Sequence, residues 1–177
     1  MTMFGLKAPN NKILVAGTPL IQELNVENAT NMYPGRLVKK GSNDNDVTVS
    51  GAAGICLGWL GYEQCTNAGF MPTDKTTIYA ADAQAPVLYG GGFVVIGKLA
   101  VSQTVVKGDR LVAAADGMVS KAAPAVTKTG TTQVTSSVAK EAPISGTVPE
   151  GGIVVGIAME SVTTTDTAAD IMVLSLI

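Results

Sequence analysis

Histidine is absent from this 177-residue chain. That removes the usual general base near neutral pH, the commonest zinc ligand and the standard serine or cysteine triad. Cysteine is almost as scarce, with Cys56 and Cys65 the only two. Two are too few for a disulfide framework, and they have no partners for a zinc site. Met1-Thr2-Met3-Phe4-Gly5-Leu6-Lys7 has no charged start followed by a long apolar stretch, so no secretory leader is expected. The cysteines are then expected as two reduced, mostly buried thiols, with a mutual disulfide as the alternative if a hairpin sets them face to face. Aromatic residues are only 5% of the chain, so the core must be built mainly from Val, Ile, Leu and Ala.

Charge is in short supply too. Charged residues make up 15%, against roughly 25% in an ordinary soluble domain. A surface left to Thr, Ser, Gly, Ala and Asn often meets another protein rather than bulk water. Twelve basic and fourteen acidic residues leave a net charge of −2, and Lys39-Lys40 is the only adjacent basic pair. A nucleic-acid binder carries a basic stripe to neutralise phosphates, and this chain has none, so no nucleic-acid partner is expected. No apolar run reaches the 18 or so residues of a membrane helix, since Gly90 to Val101 is short and interrupted by Lys98. No membrane partner is expected, and the chain is expected to be made and used inside a cell, or assembled there into something larger.

What the sequence does have is β signal. In Lys107-Gly108-Asp109-Arg110-Leu111-Val112 followed by Ala115-Asp116-Gly117-Met118-Val119, a turn, an apolar run, an Asp-Gly turn and a second run follow one another directly. Asp116-Gly117 is a strong hairpin signal, because the turn needs positive φ and Gly supplies it at little cost. Further strands are expected at Lys12–Ala16, Val47–Val49, Ile55–Leu60, Thr77–Ala80, Phe93–Val101, Ile153–Val162 and Ile171–Ile177. The last two are expected as neighbours joined through Thr163–Asp166. Gly41–Asp46 reads as a polar turn, and Glu23–Met32 as one or two helical turns stopped by Pro34-Gly35. Residues 1–11 read as an extended N-terminal arm and 12–177 as a single β domain. The Thr/Ser/Pro-rich stretch at about 122–152 reads as a long excursion that cannot bury much of its own surface. No internal repeat of fixed period stands out. The expected class is all-β, a small β-barrel, β-clip-like or sandwich core.

Several near-motifs fail on chemistry. Gly92-Phe93-Val94-Val95-Ile96-Gly97-Lys98-Leu99 nearly spells a phosphate loop, but its spacers are β-forming and Leu99 stands where a hydroxyl must hold magnesium. Asp44 and Asp46 lack the further oxygens and the closing Glu of a calcium loop. A biotin or lipoate carrier needs Lys at the hairpin tip, where Asp116-Gly117 stands and the nearest Lys is Lys121. No catalytic residue, cofactor or metal site is expected. Trp59 and Tyr62, beside Gly58 and Gly61, read first as a core or interface anchor and second as a platform for sugars or bases.

The Lys107–Ala122 hairpin, together with Gly156-Ile157-Ala158 and Ile171-Met172-Val173-Leu174, resembles the decoration or structural cement proteins on the heads of tailed double-stranded DNA viruses. The likeness covers roughly the last 70 residues apart from the excursion. It implies a trimer on the outer surface of an expanded HK97-type shell, bound to the major capsid protein and clamping neighbouring capsomers. It also implies synthesis in the host cytoplasm and a final place on the virion. By position alone, residues Met1, Thr2, Met3, Phe4, Gly5, Leu6 and Lys7 would be the capsid-binding arm. The rival from another class is a receptor- or glycan-binding module using Trp59 and Tyr62 or the Thr-rich excursion, and the other is a small β-barrel enzyme or cofactor carrier.

Overall fold

Residues 12–52, 55–62, 74–122 and 153–177 are described by the computed structural model. Their ordered elements are thirteen strands and one short 3-10 turn. The proposed arm, Cys65 and nearly all of the 122–152 excursion lie outside the described residues. After β1 (Leu14–Ala16), the strands β2 (Leu20–Val26), β3 (Leu37–Lys40), β4 (Asp46–Val49), β5 (Gly58–Leu60) and β6 (Gln84–Tyr89) form a closed barrel in the order β2-β4-β3-β5-β6. A second set comprises β7 (Val94–Leu99), β9 (Arg110–Ala113), β10 (Val119–Lys121), β11 (Val154–Ala158) and β13 (Ala169–Ser175). Here β7 pairs with both β10 and β13, so β7-β10-β9-β11-β13 also returns on itself, with β1 added along β7. A separate ribbon joins β8 (Thr104–Val105) to β12 (Val162–Thr163). The architecture is all-β, built of two small barrel-like sheets.

The two rings have one topology. In each, the first strand runs parallel to the third, and every other ring pairing is antiparallel. The registers superimpose residue by residue: Val38 faces Gly58 as Leu111 faces Gly156, and Val26 faces Val47 as Leu99 faces Val119. Hydrogen bonds in the connections repeat as well. Gly35 N–H to Leu60 O at 2.7 Å matches Gly108 N–H to Ala158 O at 2.8 Å, and Gly61 N–H to Pro86 O at 2.7 Å matches Met159 N–H to Met172 O at 2.9 Å. Gly35 and Gly108 sit at φ +81° and +95°, a turn geometry that only glycine adopts easily. The described residues therefore contain an internal structural repeat, although no fixed period stands out in the sequence. Its spacing drifts, from Gly35 and Gly108 to Gly58 and Gly156, because the intervening connections differ in length, and a search for a fixed period cannot find it.

Two other expectations are corrected. Glu23–Met32 is not helical: β2 runs to Val26, because Leu24 and Val26 alternate into the barrel at 4% and 0% exposure. The chain then turns where the Asn28 side chain accepts from Thr30 N–H at 3.0 Å and Asn31 takes φ +57°. Thr77–Ala80 is not a strand. Tyr79, fully buried, donates its N–H to Met32 O and its hydroxyl to Gly61 O, and packs in the core of the first barrel. Ile55–Leu60 shortens to Gly58–Leu60.

Leu24, Val26, Val38, Leu60 and Val87 fill the first barrel. The matching positions of the second are Gly97, Leu99, Leu111, Ala158 and Val173, so two large side chains are missing there. Trp59 supplies volume from outside. Its fully buried ring, carried on β5 of the first barrel, enters the core of the second. A methyl group on Gly97 would lie only 2.7 Å from the ring atom Cζ3. The indole N–H donates to Ser175 Oγ at 3.0 Å, and that hydroxyl donates to Ile177 O at 2.7 Å. Close packing of this kind ties the first barrel, which keeps its own core, to the core of the second.

Candidate functional site between the two barrels

The Asp116-Gly117 turn is the hairpin turn between β9 and β10, with both residues at positive φ, +56° and +66°. It does not project into solvent as a display loop would. Gly117 N–H donates to Ser50 O at 2.7 Å, and a Cβ on Gly117 would fall 2.6 Å from Leu37 O. Asn31 Nδ2 donates to Asp116 Oδ1 at 2.9 Å, and Arg36 Nη1 donates to Asp116 O at 3.1 Å. The turn is thus a latch that docks the second barrel on the first. Its residues are structural.

Next to this latch lies a cleft of about 230 Å³. Residues before β3 supply Tyr33, Pro34 and Arg36, the segment before β6 supplies Lys75, β7 supplies Ile96 and Lys98, and β13 supplies Asp170. The Asp170 carboxylate is bridged: Lys75 Nζ reaches Oδ2 at 3.0 Å and Lys98 Nζ reaches Oδ1 at 2.9 Å. Burial pushes the Asp170 pKa up, but the hydrogen bonds from Lys98 and Lys75 outweigh it and hold the group below the usual carboxylate value. Desolvation lowers the Arg36 pKa from its ordinary value, against the opposing pull of Asp116, Tyr33 and Asp170. The guanidinium also lies over the Tyr33 ring, 5.8 Å from its centroid. Two lysines converge on one carboxylate with Arg36 lining the same cleft, a grouping not visible in the sequence because Arg36, Lys75, Lys98 and Asp170 come from four separate segments.

The other sequence candidates separate cleanly. Trp59 has no exposed surface and cannot stack on a sugar, and the half-buried Tyr62 packs against the same core. Asp44 pairs with Lys40 at 2.6 Å, while Asp46 accepts from Asn43 and Asn25, so each carboxylate is engaged within its turn region. The phosphate-loop near-match lies on β7, with Val94–Ile96 buried in the sheet. Burial raises the Cys56 thiol pKa above its usual value, and Ser50 Oγ lies 3.2 Å from the sulfur. Met1 to Lys7 lie outside the described residues, but the chain leads from them into Ile13, whose carbonyl accepts from Ile96 N–H at 2.9 Å. Among the described residues no cluster of three or more metal-ligating side chains occurs, and no helix is long and apolar enough to cross a membrane.

Large apolar side chains reach solvent in several places, including Leu20 at 60%, Ile21 at 54%, Val106 at 54% and Leu176 at 49% exposure. Leu20 and Leu176 both lie against the Gly90-Gly91 corner that links the barrels. Comparison of the chain with protein-family models and with curated proteins finds no match to either.

Proposed function

We propose that this chain is a non-enzymatic virion structural protein that binds the outer surface of an expanded HK97-type capsid and bridges neighbouring capsomers. The observation that carries the proposal is that the segments behind the family resemblance form one contiguous unit. The β9–β10 hairpin, the Gly156-Ile157-Ala158 strand and the final Ile171–Leu174 strand are hydrogen-bonded neighbours of the second barrel. A charge-poor surface bearing exposed Leu20, Ile21 and Leu176 supports contact with protein.

In this reading the major capsid protein is the partner, the active form is a homotrimer, and residues 1–11 extend to the shell from β1, which is tied to β7. Strand addition satisfies edge amides and carbonyls while side chains provide specificity. Repetition around a closed shell multiplies weak contacts. Binding only the expanded form stabilises that form by mass action. The test is titration of the purified protein onto expanded and unexpanded heads that lack it, with bound copies counted after sedimentation. Saturation at a fixed ratio to capsid protein on expanded heads alone is expected, and no binding to either form would overturn the proposal.

A further inference from the structure

We infer that the open edge of β2, at Leu20–Gln22, is a docking site for a short extended strand of the partner protein. The inference rests on the capsid reading for the identity of that partner, the major capsid protein, and names the surface of this chain that meets it. The two rings supply the comparison. β6 runs beside Leu20–Asn25 of β2 in the same register in which β13 runs beside β7, so Ile21 and Gln22 correspond to Val94 and Val95. The other edge of β7 carries β10 at Leu99 and β1 at Val94 and Val95. The other edge of β2 carries β4 at Asn25 and Val26. Among the described residues no strand lies beside Leu20–Gln22 on that edge.

Burial follows the difference. Phe93, Val94 and Val95 are buried, whereas Leu20, Ile21 and Gln22 are all exposed. Alternation in a half-buried strand would hide one of two neighbouring apolar residues, yet Leu20 and Ile21 both reach solvent. Val26 N–H donates to Ala83 O on the β6 side, and Asn25 N–H donates to Asn45 O on the opposite side. The same alternation turns the Ile21 N–H and C=O toward the open edge. Exposed edges are usually blunted by charge, proline or a bulge. Pro19 has no N–H and ends this edge on one side, and β4 ends it on the other. Leu20–Gln22 between them carries no such device.

The second barrel shows what fits. β1 lies antiparallel on β7 as Leu14-Val15-Ala16, a short uncharged apolar strand. The matching occupant of β2 is a segment of similar length and character, antiparallel to β2 and free of proline. Main-chain hydrogen bonds give such a contact its affinity, and side chains on alternate faces give its specificity. Leu20 and Leu176 at the Gly90-Gly91 corner continue the apolar surface past the end of the edge. Each described strand of this chain already sits in a ladder, which favours another protein as the source.

The test uses the full chain. A capped peptide copying Lys12–Gly17 is titrated into the ¹⁵N-labelled protein, beside a fully N-methylated analogue that has no backbone donors. Saturable shifts of the Ile21 and Gln22 amides are expected with the first peptide and not with the second. Ile21→Pro removes the outward N–H and leaves the β6 ladder alone. It should weaken binding of the peptide and of expanded heads by roughly tenfold each, about the loss of one hydrogen bond. If that variant fails to fold, Ile21→Lys blunts the edge with charge and carries the same expectation. Shifts at Val95 and Ile96 instead would mean that the peptide displaces β1, and would overturn the inference. So would unmoved Ile21 and Gln22 amides, an equal response to the methylated analogue, or undiminished head binding by the folded variant. Self-association of the wild type that the substitution abolishes would make a second copy the occupant and overturn it too. Heads that bind neither wild type nor variant would overturn the capsid reading and the partner named here, even where the peptide binds.

Discussion

Replacing Gly97 by Ala puts a methyl group where the Trp59 ring already lies. The added Cβ would stand 2.7 Å from Cζ3, 3.2 Å from Cη2 and 3.5 Å from Val173 Cγ2. Carbon atoms pack favourably at about 3.5–4.0 Å, so ring and strand must separate by nearly an ångström. Neither yields easily, because Trp59 has no exposed surface and Gly97 lies inside β7, between β13 and β1. Overpacking of this kind costs about 1–3 kcal/mol, and about 2 is expected here.

Trp59→Phe removes the far ring atoms and the indole N–H bond to Ser175. Lost burial and the lost hydrogen bond together should cost about 2 kcal/mol. The double variant then has room for the new methyl group. It should cost about 2–3 kcal/mol rather than the sum, a coupling of about 1–2 kcal/mol. Urea unfolding followed by far-UV circular dichroism measures all four corners of the cycle, because Trp59 is the only tryptophan and its fluorescence is lost in half of them. A Gly97→Ala cost below about 0.5 kcal/mol, or costs additive within about 0.5 kcal/mol, would refute the packing of Trp59 against Gly97 in the second barrel.

Gly117→Ala should destabilise by about 1–2 kcal/mol for its left-handed backbone, and by a similar amount again for the contact with Leu37 O. Gly108→Ala, at φ +95° with open space around it, should cost the backbone part alone, so equal losses of urea midpoint in the two variants would contradict the latch. Asp170 titrates below its unfolded value of about 3.9, so its ion pairs contribute stability above that pH and lose it as pH falls through the folded value. Being partly exposed, the pairs should contribute at most about 1 kcal/mol. The urea midpoints of wild type and Asp170→Asn should accordingly differ at pH 7 and converge as pH falls through the folded value, and a gap that widens in acid would reverse the assignment. Deleting residues 1–11 should leave the circular dichroism and thermal midpoint intact while abolishing sedimentation with expanded heads, and undiminished binding would dismiss the arm.

Where neighbouring residues carry the signal, the sequence was legible. Val47–Val49 alternates, and Asp116-Gly117 combines two residues tolerant of positive φ between apolar runs, so the hairpins around them can be read directly. β6 carries a weak sequence signal, because Pro86 lies in its middle. In the barrel Pro86 faces Glu23 on β2 and its carbonyl still accepts from Gly61 N–H. β2 is hard to read because Leu24 and Val26 are followed closely by Asn28 and Asn31, so a strand ends and a turn begins within a few residues. The cleft was invisible for a different reason. Its charges acquire meaning only when β7, β13 and two connecting segments meet, and that meeting depends on pairings such as Asp170 with Lys98 that lie far apart in the chain. The repeat left a faint trace in Ile55-Cys56-Leu57-Gly58 and Ile153-Val154-Val155-Gly156. Both glycines are needed where a Cβ would strike a backbone carbonyl, that of Leu88 or that of Leu174.

The order of the strands also sets a timetable for synthesis. All five strands of the first barrel lie between Leu20 and Tyr89, so that ring can close while later residues are still being added. The second cannot: β7 waits for β13, the last strand, which also brings Ser175 to the indole of Trp59. Contacts so distant along the chain form slowly, because the entropy of closing the loop precedes any gain from pairing. Until then the Trp59 side chain projects from a finished barrel with its cavity unbuilt, a sticky surface on a nascent protein. The quenching or blue shift of that single tryptophan is therefore a clock for the final step of maturation.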